Sequence, residues 1–112
     1  MTGVVFLDPG RLRTELALQA AATPPDGAGG HTEDWQEVAT VFALVEPVGA
    51  ASHFAAGQAH EEATHRVTLR FREDVASGMR FLKAGRALHI VTVRDADGTG
   101  RYLVCRVREE GR

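Results

Sequence analysis

Strict alternation of apolar and polar residues at 64–72 constrains the fold more than any other part of this sequence. The apolar residues share one parity and the arginines share the other: Val67, Leu69 and Phe71 against Arg66, Arg70 and Arg72. This period of two is typical of a β-strand with one buried face and one exposed face. The alternation predicts that the apolar side chains enter a core and that the arginines form a stripe on the outer surface.

Five further segments have strand-like composition or alternation, and turn-forming residues separate them. The six predicted strands cover residues 12–20, 35–48, 64–72, 79–83, 86–94 and 101–108. Short connections join the last four, and the Asp97-Gly98 pair favours a hairpin. This order predicts a mostly β fold, a small antiparallel β-barrel or sandwich of about six strands. Residues 49–63, which are small, polar and weakly helical, are predicted as one long loop or a short helix.

The segment from Val41 to Val45 is apolar at both parities, unlike the alternating strands. A strand of this kind must be covered on both faces. The core is one cover, and a neighbouring subunit is the candidate for the other. We therefore take Val41, Phe42 and Leu44 as candidate interface residues.

Length and composition are those of one ordinary globular domain over residues 1–112. The chain is 44% hydrophobic and 25% charged, and no apolar run approaches the roughly 18 residues that cross a bilayer. The N-terminal residues lack the basic and apolar regions of a secretory signal. We therefore expect a cytosolic protein with no membrane partner.

The net charge of −2 conceals an uneven distribution along the chain. Residues 1–63 contain two basic and nine acidic side chains, whereas residues 64–112 contain eleven basic and six acidic ones. Two outcomes are open. Either the folded surface has two oppositely charged parts that attract each other between copies, or the two signs intermingle when the chain folds.

No arrangement of residues in the sequence favours catalysis or metal binding. His60 and His65 are five positions apart, whereas the zinc-protease motif needs two histidines on one helical turn. Cys105, the only cysteine, alternates with Leu103 and Val107 and is predicted to be an inert core residue. We expect a protein that is not an enzyme and holds no metal or cofactor.

The arginine stripe has two interpretations. It is either a solvated or inter-subunit face paired with acidic residues, or a surface that contacts nucleic-acid phosphates. The second interpretation permits only non-specific contact, because the polar parity carries no aromatic side chain that stacks on bases. A small barrel that binds nucleic acid is therefore the alternative to a structural protein.

Nearly the whole chain, from residue 11 to 108, follows an order of segments found in a known family. The front half contributes Arg11-Leu12-Arg13, Gly29-Gly30, Trp35 and the run from Val38 to Pro47. The back half contributes the segment 64–72, Gly78-Met79-Arg80-Phe81 and Gly85-Arg86-Ala87-Leu88-His89-Ile90. In this order the segments resemble the phage head-tail joining family, and 64–72 is the most specific of them.

The resemblance implies a small β-barrel protomer that assembles as a homo-oligomeric ring, commonly a hexamer. Such a ring lies in the neck of a long-tailed phage or a gene transfer agent, between the portal-bound adaptor and the tail terminator or tail tube protein. It closes the head over packaged double-stranded DNA, without sequence-specific contact, and offers the tail a docking surface. The expected location is the virion neck, assembled in the bacterial cytoplasm. The connector adaptor and the tail terminator are alternatives within the same class.

Within this class we expect two sets of interaction residues. The arginine stripe is expected to meet acidic groups of a neighbour or to line the lumen. Val41, Phe42 and Leu44 are the apolar residues of the same interface set. Residues 49–63 are the candidate for a segment that projects into the channel or onto a neighbouring ring. This segment is long, and it has too few large apolar side chains to anchor it to the core. The candidate residues of this docking or channel loop are His53, Phe54, Gln58, Glu61 and Glu62.

Overall fold

A computed structural model describes residues 8–22, 34–48 and 63–110 of the chain. Each of the six predicted strands is present, and no strand end differs from its predicted position by more than two residues. The strands are β1 (Thr14–Ala22), β2 (Asp34–Pro47), β3 (His65–Arg70), β4 (Arg80–Lys83), β5 (Arg86–Asp95) and β6 (Tyr102–Glu109). A single 3-10 turn at Pro9–Arg11 precedes β1.

The strands close into an antiparallel barrel in the order β1-β2-β3-β6-β5-β4. In the hairpin of β5 and β6, the second strand lies beside β3. β6 therefore lies between β3 and β5, which both precede it in the sequence. Closure between β1 and β4 rests on three paired positions, Ala17 with Leu82, Leu18 with Phe81 and Gln19 with Arg80. The prediction of a mostly β fold with a small antiparallel barrel is confirmed.

Alternate residues of all six strands fill the barrel interior. The largest fully buried side chains are Phe81, Leu16, Leu18, Leu69, Val67, Val107 and Cys105. Burying one such side chain contributes about 1.5–3 kcal/mol relative to leaving it in water. Because these residues come from strands far apart in the sequence, the core holds the barrel closed as well as folded.

Phe71 is an exception to the predicted alternation. β3 ends at Arg70, one residue earlier, and the Phe71 side chain is 41% exposed. The expectation that Phe71 enters the core was wrong, because strand pairing and its alternation end before this residue. Val75, from the turn that follows, packs into the core cluster with a side chain that is buried.

The two ends of the barrel differ in how the strands finish. At one end, which we call the ribbon end, β1–β2 and β5–β6 continue as two-stranded ribbons. At the opposite end, the Val48 amide donates a hydrogen bond to the Thr64 carbonyl oxygen at 3.0 Å. The two residues that flank 49–63 on the sequence are therefore neighbours at the opposite end.

Candidate inter-subunit surfaces

β2 has one face in the core and one face on the outer surface. Val41 and Ala43 point inward and are buried, whereas Phe42 is 49% exposed and Leu44 is half-buried. The side chain of Val41 is therefore part of the core and not of an outer surface. Phe42 and Leu44 are the apolar candidates that lie where a neighbouring subunit can reach them.

Ion pairs within the protomer divide the arginine stripe. Arg66 and Arg70 lie on the outer face of β3, whereas Arg72 follows the end of that strand. Arg66 pairs with Glu46 of β2 at 3.1 Å. Arg72 pairs with Asp74 at 2.9 Å, and this hydrogen bond lowers the pKa of the Asp74 carboxyl. Arg70 contacts no carboxylate within the described ranges.

Two arginines that sequence reasoning missed extend this surface. Arg106 lies directly opposite Arg66 across β3 and β6, and Arg94 lies opposite Val104 across β6 and β5. Both are exposed, and neither pairs with a carboxylate of residues 8–22, 34–48 or 63–110. The sequence does not show this grouping, because β6 lies between β3 and β5 only in the folded barrel. We define the basic surface as Arg70, Arg94 and Arg106.

The outer faces of β1 and β2 carry the opposite charge. Glu15 lies opposite Phe42, and Glu37 lies opposite Gln19, with both carboxylates exposed. We define Glu15 and Glu37 as the acidic surface. Because β1 is three strands from β6 in the barrel order, Glu15 and Arg106 lie on opposite sides of the barrel. The charge difference is therefore largest between β1 and β6. Arg70 follows Leu69, the partner of Ala43, and so borders the acidic surface beside Phe42.

Trp35 belongs to a polar and aromatic cluster on the outer face, next to the closure of β1 and β4. The Arg80 guanidinium lies 4.2 Å from the centroid of the Trp35 ring and donates a hydrogen bond to Gln19 Oε1 at 2.7 Å. The Trp35 ring also meets the His89 ring edge-on, with centroids 5.9 Å apart. His89 Nε2 lies 2.7 Å from Glu110 Oε1, and this hydrogen bond lowers the pKa of Glu110. The cluster covers Gln19 and links β1, β2, β4 and β5. It lies at the closure of the barrel, where β1 and β4 share three paired positions.

The described residues show no grouping that suits catalysis or metal binding. No three His, Cys, Asp or Glu side chains in the described ranges could together hold a metal ion. The prediction that Cys105 is a core residue is confirmed, and burial raises the pKa of its thiol to about 12. None of the helical segments in the same ranges has the length and apolar character that a membrane span needs.

The candidate residues of the docking or channel loop are not among those that the structure describes. His53, Phe54, Gln58, Glu61 and Glu62 all fall within 49–62, between the second and third described ranges. The structure therefore brings together the outer-face candidates of β2 and β3 and leaves the loop candidates as predictions.

Comparison with known proteins connects these surfaces to a biological class. The sequence model of the phage head completion protein family matches residues 7–110. The chain belongs to this family. It is 28% identical to the head completion protein gp7 of Enterobacteria phage HK97 over 111 residues, which are 93% of this chain and 99% of that protein. The resemblance to a head-tail joining family is confirmed.

Two solved structures share the fold. A chain of the virion of a native gene transfer agent particle has a TM-score of 0.66 and 30% identity, with coverage of 89% of this chain and 94% of that one. The solution structure of protein SF1141 from Shigella flexneri 2a has a TM-score of 0.64 and 28% identity, with coverage of 90% and 96%. The head completion family is a class of structural virion proteins and not of enzymes. This member therefore has a structural role in a virion, in association with other head and tail components.

Proposed function

We propose that this head completion protein forms a homo-oligomeric ring in the virion neck, with six copies as the expected number. The ring lies between the portal-bound adaptor and the tail terminator or tail tube protein, closes the DNA-filled head and provides the surface on which the tail docks. The observation that carries the proposal is the separation of charge across a barrel of the head completion family. Two unlike sides on one protomer are what a closed ring requires.

A ring of identical subunits needs a heterologous interface, in which one face of a subunit meets a different face of the next. The acidic surface on β1 and β2 and the basic surface on β3, β5 and β6 supply such a pair of faces. Complementary charge orients subunits and accelerates their encounter more than it tightens the final contact. The head-to-tail arrangement therefore follows from the electrostatics, while the affinity must come mainly from apolar burial.

Phe42 and Leu44 supply that burial on the outer face of β2. Phe42 is 49% exposed in the protomer, so covering it removes about 100 Å² of apolar surface from water, which corresponds to roughly 2 kcal/mol per contact. In the ring, the carboxylates of Glu15 and Glu37 and the basic surface of the next copy surround this apolar centre. In the ring, Arg70 meets acidic groups of a neighbour, while Arg66 and Arg72 retain their partners Glu46 and Asp74.

Residues 49–63 are proposed as the part that projects into the channel or onto the neighbouring ring. The segment is rich in small residues, and Phe54 is its only large apolar residue. The Phe54→Ala variant is expected to reduce tail attachment and leave the protomer folded. Equal yields of tailed particles from the variant and the parent would remove Phe54 from the proposal.

A barrel that binds single-stranded nucleic acid is the second candidate function. The basic surface favours phosphate contact, and Phe71, which follows Arg70 and is 41% exposed, is a ring on which a base can stack. Tyr102, the aromatic residue of the outer face of β6, is buried and does not present its ring. Salt-dependent binding to short oligonucleotides at micromolar protein would favour this candidate. Its absence, together with rings on particles, would favour the neck protein over the binding module.

The decisive experiment removes the protein from the producing cell and examines the particles by negative-stain imaging. The proposal predicts DNA-filled heads that lose DNA and never gain tails. Complete tailed particles without the protein would contradict the proposal. Tails that lack only their head-proximal end would instead place the chain as a tail terminator, and heads unable to retain an adaptor would place it as the adaptor.

A further inference from the structure

The edge of β2 at the ribbon end is paired on one side only. β2 begins at Asp34, and its partners on β1 extend along this whole segment. Its pairing with β3 begins only at Ala43. Within the described part of the chain, residues 34–42 therefore have no strand on their second side.

β5 has a similar edge at the same end of the barrel. Its pairing with β4 covers Arg86 to His89, and Ile90 makes the last backbone hydrogen bonds on that side. The register of β5 against β6 shifts at Val91, and residues 92–95 then pair with β6 alone among the described residues. The ribbon end therefore presents these two strand edges on different sides of the barrel, besides the short β1 edge at residues 20–22.

These edges are suited to pairing with another chain. Exposed edges are templates for strand addition, and proteins usually protect them with lysine, proline or a bulge. Neither 34–42 nor 91–95 contains lysine or proline, and both contain β-branched residues that favour strands. Each edge has one bulge, at Val38 and at Val91, so the regular part of the second edge is residues 92–95. The register of β2 against β1 shifts beside Val38, which leaves residues 39–42 as the regular part of the first edge.

We propose that the β2 edge of one copy, residues 34–42, pairs with the β5 edge of the next copy, residues 91–95. The sheet then continues from subunit to subunit through backbone hydrogen bonds. This inference rests on the proposed ring and specifies how its subunits meet. Each copy carries one edge of each kind, so the contact repeats around the ring without using either edge twice.

Charge indicates that the occupant of each edge is a second copy of this chain. The β2 edge carries the exposed carboxylates of Asp34 and Glu37, and the β5 edge carries the exposed guanidinium of Arg94. Asp95 leaves the β5 edge without net charge, but hydrogen bonds from the backbone amides of Asp97, Gly98 and Gly100 hold its carboxylate in its own turn. The Arg94 guanidinium therefore attracts the carboxylates of the β2 edge, whereas two β2 edges repel each other.

Engineered cysteine pairs in the full-length chain test the contact. Paired strands lie about 4.7–4.9 Å apart, a spacing that a disulfide spans. The native Cys105 is buried and does not compete. Two double variants sample the register: Thr40→Cys with Thr92→Cys, and Thr40→Cys with Arg94→Cys. The control joins Thr40→Cys to Arg108→Cys, an exposed residue on β6 that is on neither edge.

Particles that carry each variant are oxidised, separated on a non-reducing gel and imaged. At least one edge pair is expected to give a ladder of covalent oligomers up to the size of the ring, and the control is expected to give none. Rings without a ladder from either edge pair, or with an equal ladder from the control, would overturn the edge contact and leave the proposed ring standing. Cross-links to a different virion protein instead of a ladder would also overturn it. The absence of any ring at the neck would overturn the proposed function itself.

A charge exchange gives a second readout if the cysteine variants fail to assemble. Glu37→Arg and Arg94→Glu are each expected to weaken subunit association about twofold to fivefold, the range for an exposed ion pair. The two substitutions together are expected to restore association. Single variants that associate normally, or a combination no better than the single variants, would contradict the pairing of these edges.

Discussion

Along β2, residues one position apart meet opposite surroundings: Val41 and Ala43 lie in the barrel core, whereas Phe42 and Leu44 lie on the outer face. The inner residues hold six strands in one barrel, and the outer residues take no part in that core. Folding and assembly therefore depend on separate side chains of the same strand. Variants can therefore remove one property and leave the other.

The first and strongest effect is on the rate at which the Cys105 thiol, in the barrel interior, is alkylated. Burial raises the pKa of its thiol to about 12, so the reactive thiolate is scarce at pH 8 and the side chain is shielded. Alkylation at pH 8 is expected to be about a thousandfold or more slower in the native protein than in denaturant, because reaction must await unfolding. Rapid labelling of the native protein would show that the interior is open.

The second prediction removes the largest fully buried side chain of the core. Phe81→Ala is expected to lower the free energy of unfolding by about 3–5 kcal/mol, since it leaves a cavity between β1, β4 and β5. Urea titration followed by circular dichroism measures the loss. Phe42→Ala is the matched control, with a change of about 0.5 kcal/mol or less at an exposed site and a loss of ring assembly.

The third prediction reverses the basic surface. The triple variant Arg70→Glu, Arg94→Glu and Arg106→Glu is expected to fold with nearly unchanged stability and to fail to join rings, because both faces of each contact are then acidic. Native mass spectrometry and imaging of particles measure assembly. The control with the same change in charge, at the opposite end of the barrel, is Arg11→Glu, Arg13→Glu and Lys83→Glu, and it is expected to assemble. Equal assembly of both variants would argue against charge as the guide to subunit order.

The smallest expected effect lies in the ion pair that follows β3. Asp74→Asn is expected to lower the free energy of unfolding by about 0.2–1 kcal/mol at neutral pH, the range for exposed pairs. Arg72 lowers the pKa of Asp74, so this contribution is present above the ordinary value of 3.8 and is lost as the pH falls below it. The stabilities of variant and parent should therefore converge in acid. A difference that persists there would assign the effect to something other than the carboxylate charge.

The sequence alone predicts much of this fold, because alternation and turn residues are local signals. The strands around Val67 and Leu103 follow from their period of two, and the core role of Cys105 follows from its neighbours. Phe71 was assigned to the wrong side because alternation does not reveal where strand pairing ends. The boundary between strand and turn depends on Arg70 meeting Tyr102 in β6, which is a contact between distant segments.

The candidate surfaces were predicted less completely for the same reason. The arginine stripe at 66–72 was visible in the sequence, but its pairing with Glu46 and Asp74 depends on the fold. Arg94 and Arg106 join Arg70 only because β6 lies between β3 and β5. Barrel order, which no local pattern encodes, decides which charges share a side.

Electron cryomicroscopy of the neck of intact virions, at a resolution that separates strands, would show how copies of this chain meet. We predict a closed circle of this protein between the portal-bound protein and the tail, with the Glu37 side of each copy against the Arg94 side of the next. A junction built without this chain, or copies that meet through like-charged sides, would contradict this prediction.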